Sequence, residues 1–271
     1  MSVKSLLMNL IEKSSILTGI THNLFNRLKL NGNQLLVSDI HFRSNDITMQ
    51  GQKQSLSCGK ESFIADGSIK MHGQNNVVEI ADNTKLYGEN INAINIYGDN
   101  NHIIIGSYCN LRKVNFFVRG SNNTIVVGNN CSAYNVGFHI EQNNNEIHIG
   151  KDTTMHGREE HAIHLALDEG SKIIIDEDCM IAHSVQMRST DSHSIVDLQG
   201  NRINPAKDIH IGSHCWIGMQ SIILKGTTIQ PHCVVAAGTV CSKEYNESNC
   251  ILAGNPARIV KREIDWDRKF V

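Results

Sequence analysis

A period of six residues in the C-terminal third constrains the fold of this chain more than any other feature. An aliphatic residue returns at every sixth position, at Ile211, Ile217, Ile223, Ile229 and Val235. Neither the repeat of an α-helix, about 3.6 residues, nor the two-residue alternation of an isolated strand gives this period. Short strands joined by tight corners do give it, with each aliphatic side chain pointing into the axis of a solenoid.

Small or compact residues occupy a second position in the same hexads. They lie two residues before the last four aliphatic positions, at Cys215, Ser221, Thr227 and Cys233. A side chain that points into a tight corner must be small, so these positions predict the corners of a triangular prism. Three hexads close one coil, and coils stack about 4.8 Å apart with their strands paired in parallel. We therefore expect an all-β solenoid.

Composition agrees with such a fold and excludes several functions. The 271 residues include 21 glycines and 3 prolines, and only 5% are aromatic, which suits short strands and tight corners. A net charge of −2 gives no electrostatic footprint for nucleic acid. The eight cysteines form no C-x-x-C pair, so we expect buried thiols in a reducing compartment and no metal site.

The first 35 residues are interpreted as an N-terminal helical cap. Leucine and isoleucine side chains recur at helix-face spacing over residues 3–30. A cap would cover the exposed edge of the first coil; docking on a membrane surface or a partner is the alternative. Asn9, Glu12 and Lys13 interrupt the apolar residues near the start of the sequence, so we expect no signal peptide there, and no apolar run reaches membrane-spanning length. We expect a cytoplasmic protein.

Residues 36–180 are predicted to form asparagine-rich coils with a longer repeat. Asparagine pairs at 75–76, 100–101, 122–123 and 143–144 precede aliphatic runs, and Gly106, Gly128 and Gly150 lie 22 residues apart. Asparagine tolerates left-handed backbone conformations, so each pair is interpreted as a corner, and stacked corners as an asparagine ladder. A role for these asparagines as glycan ligands is the alternative.

The repeat is predicted to break in an excursion loop, residues 181–208. Hexad coils follow at 209–254 and a C-terminal tail at 255–271. Long departures from a regular scaffold are where solenoids carry function. The loop contains the segment MRSTDSHSIVD at 187–197, and we expect the reactive group there.

Five ordered motifs resemble one known family. They are TDSHSI at 190–195, AKDIHIGSHCWIG at 206–218, ILKGTTI at 223–229, VVAAGTVCSK at 234–243 and ILAGNPARIVK at 251–261. Together they resemble the hexapeptide-repeat acyltransferases, and most of all those that O-acetylate capsular or other surface polysaccharides. The resemblance implies a left-handed parallel β-helix, a homotrimer, acetyl-CoA bound in a groove between adjacent subunits, and a saccharide or polysaccharide acceptor.

The resemblance assigns the catalytic base to His193. An imidazole with a pKa near neutrality can take the proton of a sugar hydroxyl as that hydroxyl attacks a thioester. Asp191 or Asp197 could accept the second ring proton of His193, and we favour Asp191. Arg188 is expected to order the loop or to meet an anionic acceptor. His164 is expected near the substrate groove.

The remaining site residues also follow from the resemblance. Trp216 takes an outward hexad position, where the family has a tryptophan that walls the active site, and a flat indole suits a sugar ring or the pantetheine arm. Small residues that let a ligand approach the backbone, and cations for the nucleotide phosphates, complete the prediction. The candidate cofactor residues are Ala236, Ala237, Gly238, Lys243, Arg258 and Lys261.

Three other functions fit parts of the pattern. An N-acetyltransferase acting on an amino-sugar nucleotide would need an amine acceptor. A β-helix enzyme of the carbonic anhydrase type would need metal-binding histidines across a subunit interface, and the histidines here lack its spacing. A non-enzymatic glycan-binding solenoid would use the flat asparagine-rich face, and loss of activity in a folded His193→Ala variant would argue against it.

Overall fold

Three flat faces of short strands form the body of the molecule. The structure, a computed structural model, describes residues 27–37, 41–43, 45–89 and 91–269. We call the three faces A, B and C, with the strands of each given below. The chain visits them in the repeating order B, C, A, and each strand pairs in parallel with the equivalent strand of the next coil. The all-β solenoid predicted from the hexads is confirmed.

The strands divide among the faces as follows. Face A contains His41–Arg43, Phe63–Ala65, Lys85–Tyr87, the first part of Asn110–Arg119 and of Ser132–Glu141, Thr154–His156, Met180–Ile181, Trp216–Ile217, Val234–Val235 and Ile251–Ala253. Face B contains Arg27–Lys29, Asp46–Gln52, Ser68–Gln74, Asn92–Tyr97, the second part of Asn110–Arg119 and of Ser132–Glu141, Ile163–Leu167, Gln186–Arg188, Ile222–Leu224 and Val240–Cys241. Face C contains Gln34–Val37, Ser55–Cys58, Val77–Ile80, His102–Ile105, Thr124–Val127, Glu146–Ile149, Lys172–Ile175, Ile209–Ile211, Thr228–Ile229 and Glu244–Tyr245.

The hexad positions form the core of the C-terminal coils. All five aliphatic residues from Ile211 to Val235 and all four compact corner residues from Cys215 to Cys233 are buried. Gly212 shows why a corner excludes a side chain, since a Cβ there would lie 2.6 Å from the backbone nitrogen of Pro231 in the next coil. All eight cysteines are free and buried, as predicted.

The upstream coils are longer than three plain hexads, and in two of them one strand continues around the corner from face A to face B. Asn110–Arg119 and Ser132–Glu141 each run for ten residues from face A to face B. The chain turns between the faces at Lys113 and Asn135, whose φ angles of 54° and 51° lie in the left-handed region. The extra residues lie between faces B and C, because Phe116 and Val127 are eleven positions apart whereas the equivalent residues Ile223 and Ile229 are six apart.

Asparagine ladders line the corners between faces B and C. The buried amides are linked from coil to coil, with Nδ2 donating to the preceding Oδ1 at 3.1 Å for Asn101–Asn76 and at 3.0 Å for Asn123–Asn101 and Asn145–Asn123. The fourth rung differs by one residue from the predicted pair at 143–144, because Asn144 takes the left-handed corner and Asn145 the buried position.

The ends of the predicted regions need correction. Arg27–Lys29 and Gln34–Val37 are solenoid strands joined by a turn, although the predicted cap extends to residue 35. Residues 1–26 of that cap lie outside the described residues. Met180–Ile181 and Gln186–Arg188 are also strands, so the excursion loop occupies only residues 189–208. The hexad phase continues through buried Ile175, Ile181 and Met187.

The C-terminal tail forms one more strand and then returns along the solenoid. Arg258–Lys261 pairs antiparallel with Ile251–Ala253. Beyond it the Arg268 guanidinium reaches back to the Thr154 hydroxyl at 2.9 Å and the Cys179 carbonyl at 3.0 Å. Across the described ranges the chain contains no α-helix, and hence none that could cross a membrane.

Candidate active site

The excursion loop leaves the solenoid at the B–C edge, the line of corners where strands of face B lead into face C. Its two arms are held together by a bond of 2.9 Å from the Ile203 N–H to the Ile195 carbonyl. Asp197 closes the tip, where its carboxylate accepts from the backbone and side-chain N–H groups of Asn201 at 2.8 and 3.0 Å. Asp197 therefore stabilises the turn, and its hydrogen-bond partners in the described chain are residues of the loop tip rather than His193.

His193 lies exposed near the base of the loop. Its backbone carbonyl accepts a hydrogen bond of 2.9 Å from Nδ2 of Asn204. Within the described residues its ring makes no hydrogen bond or ion pair. The backbone of His193 is thus fixed, and its imidazole is open to a molecule from outside the chain.

Asp191 anchors the loop to the next coil. Its Oδ2 accepts from Nζ of Lys225 at 2.5 Å and from Nδ2 of Asn204 at 2.7 Å. The hydrogen bond from Lys225, followed by that from Asn204, holds the pKa of the Asp191 carboxyl below its usual range. In this structure Asp191 is therefore engaged with Lys225 and Asn204 rather than with the ring of His193.

Asn204 connects these groups and was not predicted from the sequence. It is 7% exposed, and its Oδ1 accepts from the Ile195 N–H at 2.7 Å while its carbonyl accepts from Nζ of Lys225 at 3.0 Å. The side chains of Asp191, Asn204 and Lys225 thus form one hydrogen-bonded unit with the backbone around His193. No repeat or motif marks Asn204, because Ile195, His193, Asp191 and Lys225 lie 9 to 21 positions away and meet it only when the loop closes.

Arg188 and His164 lie on face B beside the base of the loop. Arg188 donates from Nη2 to the Ser192 hydroxyl at 3.1 Å, a contact that serves loop ordering, the first of its two predicted roles. The ring of His164 meets that of His139 edge to face, with centroids 5.7 Å apart. Burial, together with the charges of His139 and Arg188, lowers the pKa of His164 and favours its neutral form.

Trp216 lies on face A, with 38% of its surface exposed. Its ring centroid is 6.1 Å from that of Trp266 in the tail. In a triangular cross-section, face A lies opposite the B–C edge, where the excursion loop leaves the solenoid. Trp216 and His193 of one chain are therefore held on opposite sides of the prism.

Comparison with known proteins gives the family. Residues 208–243 match the bacterial transferase hexapeptide (six repeats) family. The polysialic acid O-acetyltransferase of Neisseria meningitidis is 36% identical over 199 residues, which are 73% of this chain and 88% of that protein. The chain belongs to the hexapeptide-repeat acetyltransferases. Its resemblance to enzymes that act on capsular polysaccharides is confirmed at the level of the family, and its fold is the left-handed type of β-helix.

Two further relatives of this acetyltransferase have the same named specificity. A polysialic acid O-acetyltransferase of Escherichia coli O1:K1 / APEC is 41% identical over 97 residues, which are 35% of this chain and 31% of that protein. The crystal structure of the polySia-specific acetyltransferase NeuO matches with a TM-score of 0.51 and 25% identity, covering 88% of this chain and 86% of that chain.

The candidate acetyl-CoA residues of this acetyltransferase fall into separate groups. Ala236, Ala237 and Gly238 form the corner from face A to face B in the coil after Trp216. Lys243 lies exposed on the B–C edge, two coils beyond His193, with Nζ 5.7 Å from the centre of the Tyr245 ring. Arg258 and Lys261 are exposed on the antiparallel strand that follows the last coil.

Within the described part of the chain, one cluster brings together two histidines and an aspartate on the side of the solenoid that meets the tail. His214, His232 and Asp265 bring ligand atoms within 4.8 Å of one another. Both ring nitrogens of His214 already have partners, since Nδ1 lies 2.5 Å from the Asp178 carboxylate and Nε2 lies 3.1 Å from the Trp266 carbonyl. The geometry assigns His214 to docking of the C-terminal tail.

Proposed function

We propose that this acetyltransferase transfers the acetyl group of acetyl-CoA to a hydroxyl of a surface polysaccharide, and that polysialic acid is the first acceptor to test. The observation that carries the acceptor class is the 36% identity, over 73% of the chain, to a polysialic acid O-acetyltransferase. The exposed ring of His193, on a backbone fixed by Asn204, supports the same chemistry.

His193 acts as the general base. A ring nitrogen takes the proton of the acceptor hydroxyl while its oxygen attacks the carbonyl carbon of the thioester. The new C–O bond forms, the C–S bond breaks, and the departing thiolate of CoA takes the proton back from the imidazolium. General-base catalysis of this kind contributes about 10² to 10⁴ in rate. No acyl-enzyme is needed, because the base serves both half-steps of one transfer.

Two subunits of a homotrimer complete the site. In one chain Trp216 and His193 lie on opposite sides of the prism, so a ligand that touches both must bridge two chains. The excursion loop also presents apolar side chains to solvent, at Ile195, Val196, Leu198 and Ile203. An exposed apolar cluster of this kind is typical of a surface that another chain covers. The loop of one subunit then lies against face A of its neighbour.

Two subunits also share the binding of the acetyl donor, acetyl-CoA. Lys243 follows His193 along the B–C edge, at two coil spacings or roughly 10 Å. A lysine at that distance can meet a phosphate of CoA while the thioester lies beside His193. The neighbour contributes the corner at Ala236–Gly238, where Gly238 has no side chain and its added Cβ would meet no other atom within 4 Å.

Acceptor-dependent release of CoA thiol tests the proposal. The wild-type protein is incubated with acetyl-CoA and a panel of polysialic acid, neutral polysaccharides, simple sugars and an amino-sugar nucleotide. We expect thiol release with polysialic acid above the rate without acceptor. Release with none of the saccharides would contradict the proposal.

The linkage in the product separates O-acetylation from N-acetylation. An acetyl ester is cleaved by hydroxylamine, whereas an acetamide is stable under the same conditions. We expect the transferred acetyl group to be lost from the product on hydroxylamine treatment. An acetyl group that resists hydroxylamine, formed only with the amino-sugar nucleotide, would replace our proposal by the N-acetyltransferase.

A further inference from the structure

A ladder of aromatic rings follows the outer surface of face B. It consists of His72, Tyr97, Phe117, His139 and His164, one from each of five successive coils. Neighbouring ring centroids lie 4.9, 6.2, 4.8 and 5.7 Å apart. We call these five residues the aromatic ladder.

The register of the solenoid produces this ladder. His72 pairs with Tyr97 and Phe117 pairs with His139, so their outward side chains are separated by one strand spacing. That spacing, about 4.8 Å, lies in the range preferred by aromatic pairs. At the last step Gly137 leaves room for His164, since a Cβ there would lie 3.2 Å from its ring.

The ladder presents polar and charged groups as well as rings. The Tyr97 hydroxyl and the imidazole nitrogens of His72 and His164 are hydrogen-bonding groups that the ladder offers to a ligand. Arg119 lies over the Phe117 ring at 5.5 Å. Glu141 is an acidic residue beside the ladder, and its carboxylate is paired with His139 at 3.1 Å and with Arg119 at 3.5 Å.

The ladder leads to the excursion loop. Four strand spacings separate His72 from His164, roughly 19 Å along the solenoid. The strand of His164 pairs directly with that of Arg188, whose guanidinium binds the hydroxyl of Ser192 next to His193. A chain molecule that lies on the ladder therefore arrives at the candidate base.

We propose that the aromatic ladder binds the acceptor polysaccharide, so that several sugar residues lie along face B while the reacting one reaches the excursion loop. This inference rests on the proposed acetyl transfer to a polysaccharide. A repeating polymer suits a continuous row of rings, 4.8 to 6.2 Å apart, with mixed polar and apolar character. A second copy of this chain would instead require a broad, continuous apolar patch.

Paired measurements on a long and a short acceptor test the ladder. The Tyr97→Ala and Phe117→Ala variants, alone and combined, are compared with wild type on polysialic acid and on a sialic acid dimer. Tyr108→Asn is the matched control, since Tyr108 is an exposed aromatic outside the ladder and asparagine tolerates its φ of 60°. Binding of polysialic acid is measured in a His193→Ala background, where turnover does not interfere.

We expect kcat/KM of the combined variant on the polymer to fall about tenfold, because KM rises while kcat is unchanged. We also expect this variant to bind the polymer about tenfold more weakly. Activity on the dimer and all properties of Tyr108→Asn should match wild type. An equal fall on dimer and polymer, unchanged polymer binding, or a changed assembly mass by light scattering would overturn the inference. A wild type that binds polysialic acid through the ladder but acetylates no saccharide would contradict the proposed function alone.

Discussion

The carboxylate of Asp191 lies 2.5 Å from the ammonium group of Lys225, one coil further along the B–C edge. The pair fastens the start of the excursion loop to the solenoid, and Asn204 extends the same contact to the carbonyl of His193. Since the pair is partly exposed, its own contribution to stability is at most about 1 kcal/mol. Its main effect is to fix the position of the His193 backbone, and with it the place from which the imidazole projects.

Loss of the Asn204 side chain should impair catalysis more than folding. The Asn204→Ala variant leaves the Ile195 N–H and the His193 carbonyl without their partner, and we expect a destabilisation of about 1–3 kcal/mol. We also expect kcat to fall by about 10 to 100-fold, because misplacement of a catalytic group by about 1 Å costs that much. Asn201→Ala at the loop tip is the control and should keep its kcat. Equal kcat values for Asn204→Ala and wild type would refute a positioning role.

The two halves of the site should complement each other in mixed assemblies. His193→Ala and Trp216→Ala are each expected to be nearly inactive when expressed alone. Chains with different affinity tags, co-expressed and purified through both tags, contain interfaces with one intact His193 and one intact Trp216. We expect these mixed assemblies to recover activity. Mixed assemblies as inactive as their parents would show that the two residues do not act across an interface.

Docking of the C-terminal tail should weaken as pH rises. Burial of the His214 ring disfavours its charged form, but the Asp178 carboxylate and the Trp266 carbonyl outweigh burial and raise the pKa of His214. The Trp266 carbonyl and the Asp265 carboxylate reach His214 only from the docked tail, so these two groups make its pKa higher in the docked state than in the released state. A group whose pKa is higher in the docked state stabilises docking at low pH. That stabilisation is lost as pH rises through the higher, docked value.

Charged neighbours of His214 affect how docking of the tail depends on pH. Asp265, His232 and Arg268 also face the cluster. Fluorescence of Trp266 against pH, in a Trp216→Phe background, reports tail release. We expect Asp178→Asn to move the midpoint to lower pH, because it removes the main group that favours the imidazolium. A midpoint unaffected by Asp178→Asn would refute control by His214.

The buried asparagine ladder should contribute strongly to stability. Nδ2 of Asn123 donates to Asn101 and to the Gln142 carbonyl, while its Oδ1 accepts from the amide groups of Asn145. Asn123→Ala leaves buried donors and acceptors unpaired, so we expect the free energy of unfolding, measured with denaturant, to fall by about 1–3 kcal/mol. The exposed neighbour Asn122 provides the control, because glycine at its φ of 58° is unstrained. Comparable losses for Asn123→Ala and Asn122→Gly would contradict this account.

Much of the fold follows from the sequence because the hexad is a local signal. The six-residue spacing is enough to predict that each aliphatic side chain is buried, so the core from Ile211 to Val235 could be predicted without knowledge of other coils. The same phase also passes through Ile181 and Met187, which the prediction assigns to the loop, so the predicted loop begins too early. The asparagine pairs indicated corners, although Asn144–Asn145 rather than 143–144 occupies the last of them.

The organisation of the candidate site is less accessible to sequence reasoning. His193 and Trp216 were identified through resemblance to a family, and their separation across the prism depends on which corner carries the loop. Asn204 and Lys225 act through long-range hydrogen bonds, which leave no periodic pattern. The aromatic ladder depends on the register between coils, because Tyr97 and Phe117 become neighbours only when their strands are paired.

The measurement that tests the central claim most directly is the kcat of a folded His193→Ala enzyme, with acetyl-CoA and polysialic acid as substrates. His148→Ala provides the control, since His148 is a partly exposed histidine on face C that pairs with Glu146. We predict that His193→Ala loses about 10² to 10⁴ in kcat, with its unfolding transition unchanged, while His148→Ala matches wild type. A folded His193→Ala enzyme with wild-type kcat would contradict the assignment of His193 as the base.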